Sequence, residues 1–180
     1  MRLTWFAVLA LIVVVGAVGV GAPAQALPPT ERTFSDPAEP GAAYDVTSVV
    51  VRAAPRVGRP AVVVVKHARA VAAGDVVDAW FDLDGDQVPD LHLSGAAYSE
   101  YVVHETSSFT RDGRDVSAKD CVRLSMSGHV SKIRLYPECV GQPVAFAVAL
   151  RSSVDGRTKN ADWAPGEQRF SRRVLAQPLS

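Results

Sequence analysis

The chain has no cluster of basic residues: 19 Lys and Arg stand against 19 Asp and Glu, scattered along its 180 residues. Nucleic-acid binders carry a basic face or stripe, so that class is set aside. After Gly21 there is no apolar run long enough to cross a bilayer. The best, VVVV at 62–65, is soon followed by Lys66, His67 and Arg69. No stretch repeats apolar residues at helical spacing over a dozen positions, which excludes a helical core. No self-similarity recurs at a period of roughly 20–50 residues, which excludes propellers and solenoids. Short catalytic signatures are missing too: there is no GxSxG elbow, no HExxH pair, no phosphate-binding loop and no dinucleotide fingerprint. Catalytic groups can assemble from distant positions, so these absences weigh against an enzyme without excluding one.

The N-terminus has a basic residue at Arg2, an uncharged stretch rich in Val, Ala and Leu from Leu3 to Gly21, and small residues at Ala24 and Ala26. That order predicts a secretory signal peptide over residues 1–26. The alternative is an uncleaved membrane anchor. No Cys follows the apolar run, so a lipid anchor is not expected. Removal of the leader leaves roughly 150 residues, one domain's worth of chain. Only two cysteines occur, Cys121 and Cys139. In an exported protein an even pair reads as a disulfide. Residues 27–42 contain four prolines and scattered charges with no apolar face, and are expected to be a flexible leader. Residues 43–176 are expected to form one domain.

Within that domain, short β-branched or alternating segments succeed one another, at 44–51, 61–66, 76–83, 90–93, 98–105, 121–126, 130–135 and 144–150. In 76–83, Val77, Ala79 and Phe81 share one face, with Asp78 and Trp80 on the other. Gly128 marks a hairpin turn between two of the segments. About eight strands separated by turn signals predict an all-β, antiparallel β-sandwich, with a small barrel as the alternative. His92 and His104 fall on segments that would be neighbours, and could bind a transition metal; lone histidines on strands more often serve as hydrogen-bonding groups. Asp112 and Asp115 imitate a glycosidase acid pair, but the stretch 107–119 reads as a mobile polar loop.

The stretch DLDGDQVPDL at 82–91 places Asp82, Asp84, Asp86 and Asp90 at positions 1, 3, 5 and 9 of a loop, with the carbonyl of Val88 at position 7. Calcium takes six to eight oxygen ligands, so this oxygen-rich loop is a candidate calcium site. Turns select the same residues, because Asp side chains bond the local backbone and Gly accepts unusual dihedrals. The stretch resembles the calcium hairpins of integrin-type FG-GAP repeats, whose pattern is close to DxDGDGxPDL. It departs from them by having Gln87 at position 6, where glycine is usual, and by occurring once. Leu93 at position 12 rules out an EF-hand. The resemblance implies a loop-stiffening ion and extends to neither the propeller fold nor catalysis.

A second, looser resemblance covers most of residues 44–176. It rests on DVTSV at 45–49, the aspartate-rich turn, Cys121 before a hairpin, YPECVGQP at 136–143, and DWAP at 162–165. The pattern is similar to that of uncharacterised secreted all-β domains of GC-rich, actinobacterial-type bacteria. It implies an exported all-β domain and assigns no catalytic or binding residue. Trp163 and Phe170 are expected to cap one end of the sandwich. The reading is thus a secreted, non-catalytic binding or envelope-associated module. Its partner would be an extracellular ligand or envelope component, contacted through the 107–119 loop and the Gln87 turn. No nucleic acid and no membrane partner after cleavage are expected. The alternatives are a hydrolase using Asp84, Asp86, Asp112 or Asp115, and an inhibitor of extracellular proteases.

Overall fold

The computed structural model describes residues 26–178, so the expected signal peptide lies outside the described residues except for Ala26. The chain forms twelve strands: β1 (Glu31–Ser35), β2 (Val46–Arg52), β3 (Ala61–His67), β4 (Asp75–Asp82), β5 (Leu91–Ala96), β6 (Tyr101–Thr106), β7 (Asp112–Asp115), β8 (Val122–Ser127), β9 (Val130–Leu135), β10 (Ala145–Val154), β11 (Asp162–Ala164) and β12 (Val174–Leu175). They make two antiparallel sheets, β1-β2-β3-β9-β8 and β11-β10-β4-β5-β6-β7, with β12 also pairing with β10. The expected β-sandwich is therefore the fold, and the sheets do not close into a barrel. All eight segments read from sequence are strands. Among the described residues no helix is long and apolar enough to cross a membrane.

Period-two patterning builds the core. Alternate residues of β2, β3 and β9 (Val49, Val51, Val63, Val65, Ile133, Leu135) meet Val77, Ala79, Phe81, Leu93, Phe146, Val148 and Leu150 from the other sheet. Gly128, at a φ of 56°, supplies the left-handed position that the two-residue β8–β9 hairpin needs.

Three expectations change. Residues 31–35 of the expected leader form β1, which pairs in register with β2 from Glu31↔Arg52 to Ser35↔Ser48. An edge strand pairs on one side only, so it can alternate polar exposed and half-buried residues and leave no apolar signature. The expected 107–119 loop contains β7 and a 3-10 turn at Ser117–Lys119. Gly113 lets β7 lie close to β6: a Cβ there would stand 2.6 Å from the carbonyl oxygen of Glu105. Lastly, Trp163 and Phe170 do not cap the end of the sandwich. They join Phe109 and Trp80 on the outer face of the seven-stranded sheet.

Cys121 and Cys139 are bonded, with Cα atoms 5.3 Å apart across 18 residues of sequence. The bridge ties the start of β8 to the 3-10 turn at Pro137–Cys139. Closing a loop of this size restricts the unfolded chain, and Cys121→Ser with Cys139→Ser is expected to cost about 3 kcal/mol. Urea unfolding with and without reductant should give that same difference for the wild type and none for the double variant.

Candidate functional site

The Asp82–Asp90 loop connects β4 to β5, and its aspartates chiefly serve its own backbone. Asp82 Oδ1 accepts the N–H of Gly85 at 2.6 Å, Asp84 Oδ1 that of Asp86 at 3.1 Å, and Asp86 Oδ1 that of Val88 at 2.7 Å. Asp90 Oδ2 accepts the N–H of Leu83 at 2.7 Å. These are the turn bonds that Asp makes wherever it competes for local donors. Gln87 sits at a φ of 67°, a left-handed conformation that costs a non-glycine residue on the order of 1 kcal/mol. Ligand oxygens of Asp82, Asp84 and Asp90 converge within 4.8 Å of one another; Asp86 is outside that group. The side chain of Val88 is exposed. Burial, added to by its acidic neighbours, raises the Asp90 carboxyl above its usual range. Sequence reasoning had no hint of Arg173, whose guanidinium donates to the carbonyls of Leu83 at 3.0 Å and Asp84 at 3.3 Å and braces the loop from the C-terminal segment.

Beside this loop lies a groove of about 440 Å³ lined by Asp82, Gln87, Gln168, Arg169, Phe170 and Arg172, among others. The segment between β11 and β12 forms its wall. Ser171 pins that segment to β10, its N–H donating to Val148 O at 2.9 Å while its hydroxyl accepts the Val148 N–H at 3.2 Å. Phe170 packs on Phe109 with ring centroids 5.3 Å apart and lines the groove with Gln87, and the pairing of Leu91 with Glu105 puts the 107–111 turn and the Gln87 turn at the same end of the sheet.

The outer face of the same sheet carries a second constellation. Register places Ala149, Trp80, His92 and His104 side by side across β10, β4, β5 and β6. Arg151 lies opposite Asp78, and Trp163 opposite Arg151. Asp78 is buried and accepts two guanidinium N–H bonds from Arg151, at 2.9 and 2.8 Å. It also stands 3.3 Å from Nε2 of His92. Burial alone would raise the Asp78 carboxyl, but its hydrogen bond to His92 and the Arg151 charge outweigh burial and hold it below the usual range. His92 is pushed the other way: burial lowers it, the bonds to Asp78 and Asp112 more than compensate, and it ends above the ordinary histidine value. The His92 ring stacks on Trp80, 4.4 Å centroid to centroid and 2° from parallel. Its Nδ1 is 2.6 Å from Asp112 Oδ1, and His104 Nδ1 is 3.8 Å from Asp112 Oδ2.

Asp112 and Asp115, the imagined acid pair, lie on either side of a register shift in β7: Asp112 pairs with Thr106 and engages His92, while Asp115 pairs with His104. Asp115 is engaged by Ser117, whose N–H donates to it at 2.8 Å. Asp84 and Asp86 are likewise tied to backbone, so each of the four acids considered for hydrolysis is engaged by a local partner.

No protein-family model matches the chain, and no curated relative matches it. Among solved structures it is similar to the crystal structure, at 2.70 Å resolution, of a candidate carbohydrate-binding protein from Bacteroides uniformis. The likeness has a TM-score of 0.43 and 11% identity, over 83% of this chain and 80% of that one. A likeness at that level carries no functional inference.

Proposed function

We propose that the chain is an exported, non-catalytic binding module that uses the groove beside the Asp82–Asp90 loop to hold an acidic saccharide of the cell envelope. The groove carries the reading: its volume falls within the range of small-ligand sites, and its lining is convergent and polar with one aromatic flank. Arg169 and Arg172 offer planar forks that match carboxylates, Gln87 and Gln168 both donate and accept, and the Phe170 ring offers an apolar face to a sugar. The disulfide fits an oxidising exterior. Titration of the protein with uronic-acid oligosaccharides should give saturable binding. Arg169→Ala with Arg172→Ala should weaken it at least tenfold, the equivalent of about 1.4 kcal/mol. Equal binding by wild type and double variant would remove the groove from consideration.

Calcium belongs to this proposal as an ion that stiffens one wall of the groove. Asp82, Asp84 and Asp90 would supply carboxylates, with Asp86 and the Val88 carbonyl as the remaining oxygens of the loop. Support comes from the convergence of three carboxylates; against it stand the backbone bonds that occupy them and the Arg173 cation beside the loop. Calorimetric titration decides: a single saturating site that Asp84→Asn abolishes supports the ion, and silence at millimolar calcium removes it.

A further inference from the structure

We propose that His92, His104 and Asp112 form a binding site for one divalent transition-metal ion of the zinc class, on the outer face of the seven-stranded sheet. One ligand atom from each of the three lies within 4.8 Å of the other two. Two imidazoles and a carboxylate are the donor set that zinc accepts, with a fourth position left for water or a ligand.

The placement follows from register and one glycine. His92 and His104 are directly opposed on β5 and β6, so their rings stand on the same face. The β6–β7 pairing shifts between His104 and Thr106, and Gly113 allows the close approach that sets Asp112 over the two rings.

The surroundings of His92 are those of a ligand. Trp80 fixes the plane of its ring, and Nε2–H donates to Asp78, itself clamped by Arg151. A carboxylate behind a histidine sets the tautomer and leaves the other nitrogen's lone pair for a metal. That other nitrogen, Nδ1, is 2.6 Å from Asp112 Oδ1. Two acceptors so close need a cation between them, either a proton or a metal ion. The proton accounts for His92 but not for His104, whose Nδ1 is buried and has no hydrogen-bond partner. A sealed, unpaired ring nitrogen is unfavourable unless something binds it. Two ligands about 2.0 Å from a tetrahedral zinc stand roughly 3.3 Å apart. His92 Nδ1 is 2.6 Å from Asp112 Oδ1 and His104 Nδ1 is 3.8 Å from Asp112 Oδ2, so each imidazole faces its own carboxylate oxygen on either side of that spacing, and Asp112 is exposed on an edge strand free to adjust.

The test uses the untagged full chain. Equilibrium dialysis against Zn2+ should find one ion per chain at micromolar free metal, and Co2+ should give the visible ligand-field bands of a four-coordinate site. His104→Ala, at a half-buried position, and Asp112→Ala, at an exposed one, should each weaken zinc at least tenfold. Asp78→Asn should lose about 10- to 100-fold as a positioning residue, while the cobalt bands persist at higher metal. His129→Ala should change nothing. The proposal is overturned if the wild type binds no zinc at tens of micromolar, the outcome expected of a proton-bridged pair. It is equally overturned if binding survives both His104→Ala and Asp112→Ala, or disappears with His129→Ala.

Discussion

Trp80→Ala is expected to lower the unfolding free energy by about 4 kcal/mol, as much as truncating an aromatic residue in the inner core. In a domain of this size that corresponds to a fall of roughly 10 °C in melting temperature. Alternation in β4 assigns Trp80 to the face turned away from the core, yet it is only 2% exposed. Its ring lies between His92 and Trp163, whose centroids are 4.4 and 5.1 Å away, with Phe109 tilted against it at 5.5 Å. The Arg151 guanidinium sits over it at 5.3 Å. An aromatic packed on several sides by other rings loses both buried area and stacking when truncated. Trp80→Phe keeps a ring and should recover more than half of the loss. Thermal unfolding of the two variants beside Phe81→Ala, an inner-face control, measures the comparison. A cost below 1 kcal/mol for Trp80→Ala would mean that the outer cluster contributes little, and the support it gives to His92 would be lost from the argument as well.

That outer cluster also marks where the sequence becomes unreadable. The long strands announce themselves: AVVVVK and the Val77-Ala79-Phe81 face obey period two, and the pairing follows from short turns such as Gly128. Four strands do not announce themselves. Every residue of β7 is exposed, β11 and β12 are three and two residues long, and β1 alternates only between exposed and half-buried. No periodicity can be recognised over so few residues. A tryptophan on a nominally wet face is itself a signal that something covers it. What covers it cannot be read locally, because Phe109 comes from the turn after β6 and Trp163 from β11, and they meet only after the sheet has formed. The same holds for Arg173, 89 residues beyond the loop it braces. The adjacency of His92 and His104 was legible from strand order, but their link to Asp78, Asp112 and Arg151 needed the register.

Stability should depend on pH through two groups that pull in opposite directions over the same range. His67 is buried against Tyr44, with ring centroids 3.9 Å apart, and its Nε2 lies 2.9 Å from Ser131 Oγ. Burial is the main cause that pushes it down to about 4, aided by Arg69 and His129 and opposed by Asp75. A histidine held neutral in the folded state contributes stability that is complete above its unfolded value of about 6.5 and is lost as pH falls toward 4. That loss amounts to about 3 kcal/mol. Asp36, just beyond β1, behaves oppositely: burial first, then Asp162, Glu39 and Asp45, raise it to about 7. Its Oδ2 and the Oδ1 of Asp162 are buried without another partner, so one proton shared between the carboxyls relieves both. A carboxyl raised in the folded state contributes stability that is complete below about 3.8 and is lost as pH rises through 7. Because Asp36 is only half-buried, screening reduces this contribution to on the order of 1–2 kcal/mol. The wild type should therefore vary less between pH 4 and 6.5 than either group alone dictates, and the variants should separate the two slopes. Asp36→Asn places a permanent donor beside Asp162; it should stabilise the protein at pH 7.5 and steepen the rise from pH 4 to 6.5. His67→Phe keeps the stack on Tyr44 and removes the titration, so its stability should fall as pH rises from 4 to 7. Urea unfolding across that range reads both slopes, and parallel profiles for the two variants would contradict the assignment, because opposite signs are what the burial of one acid and one base in a single fold requires.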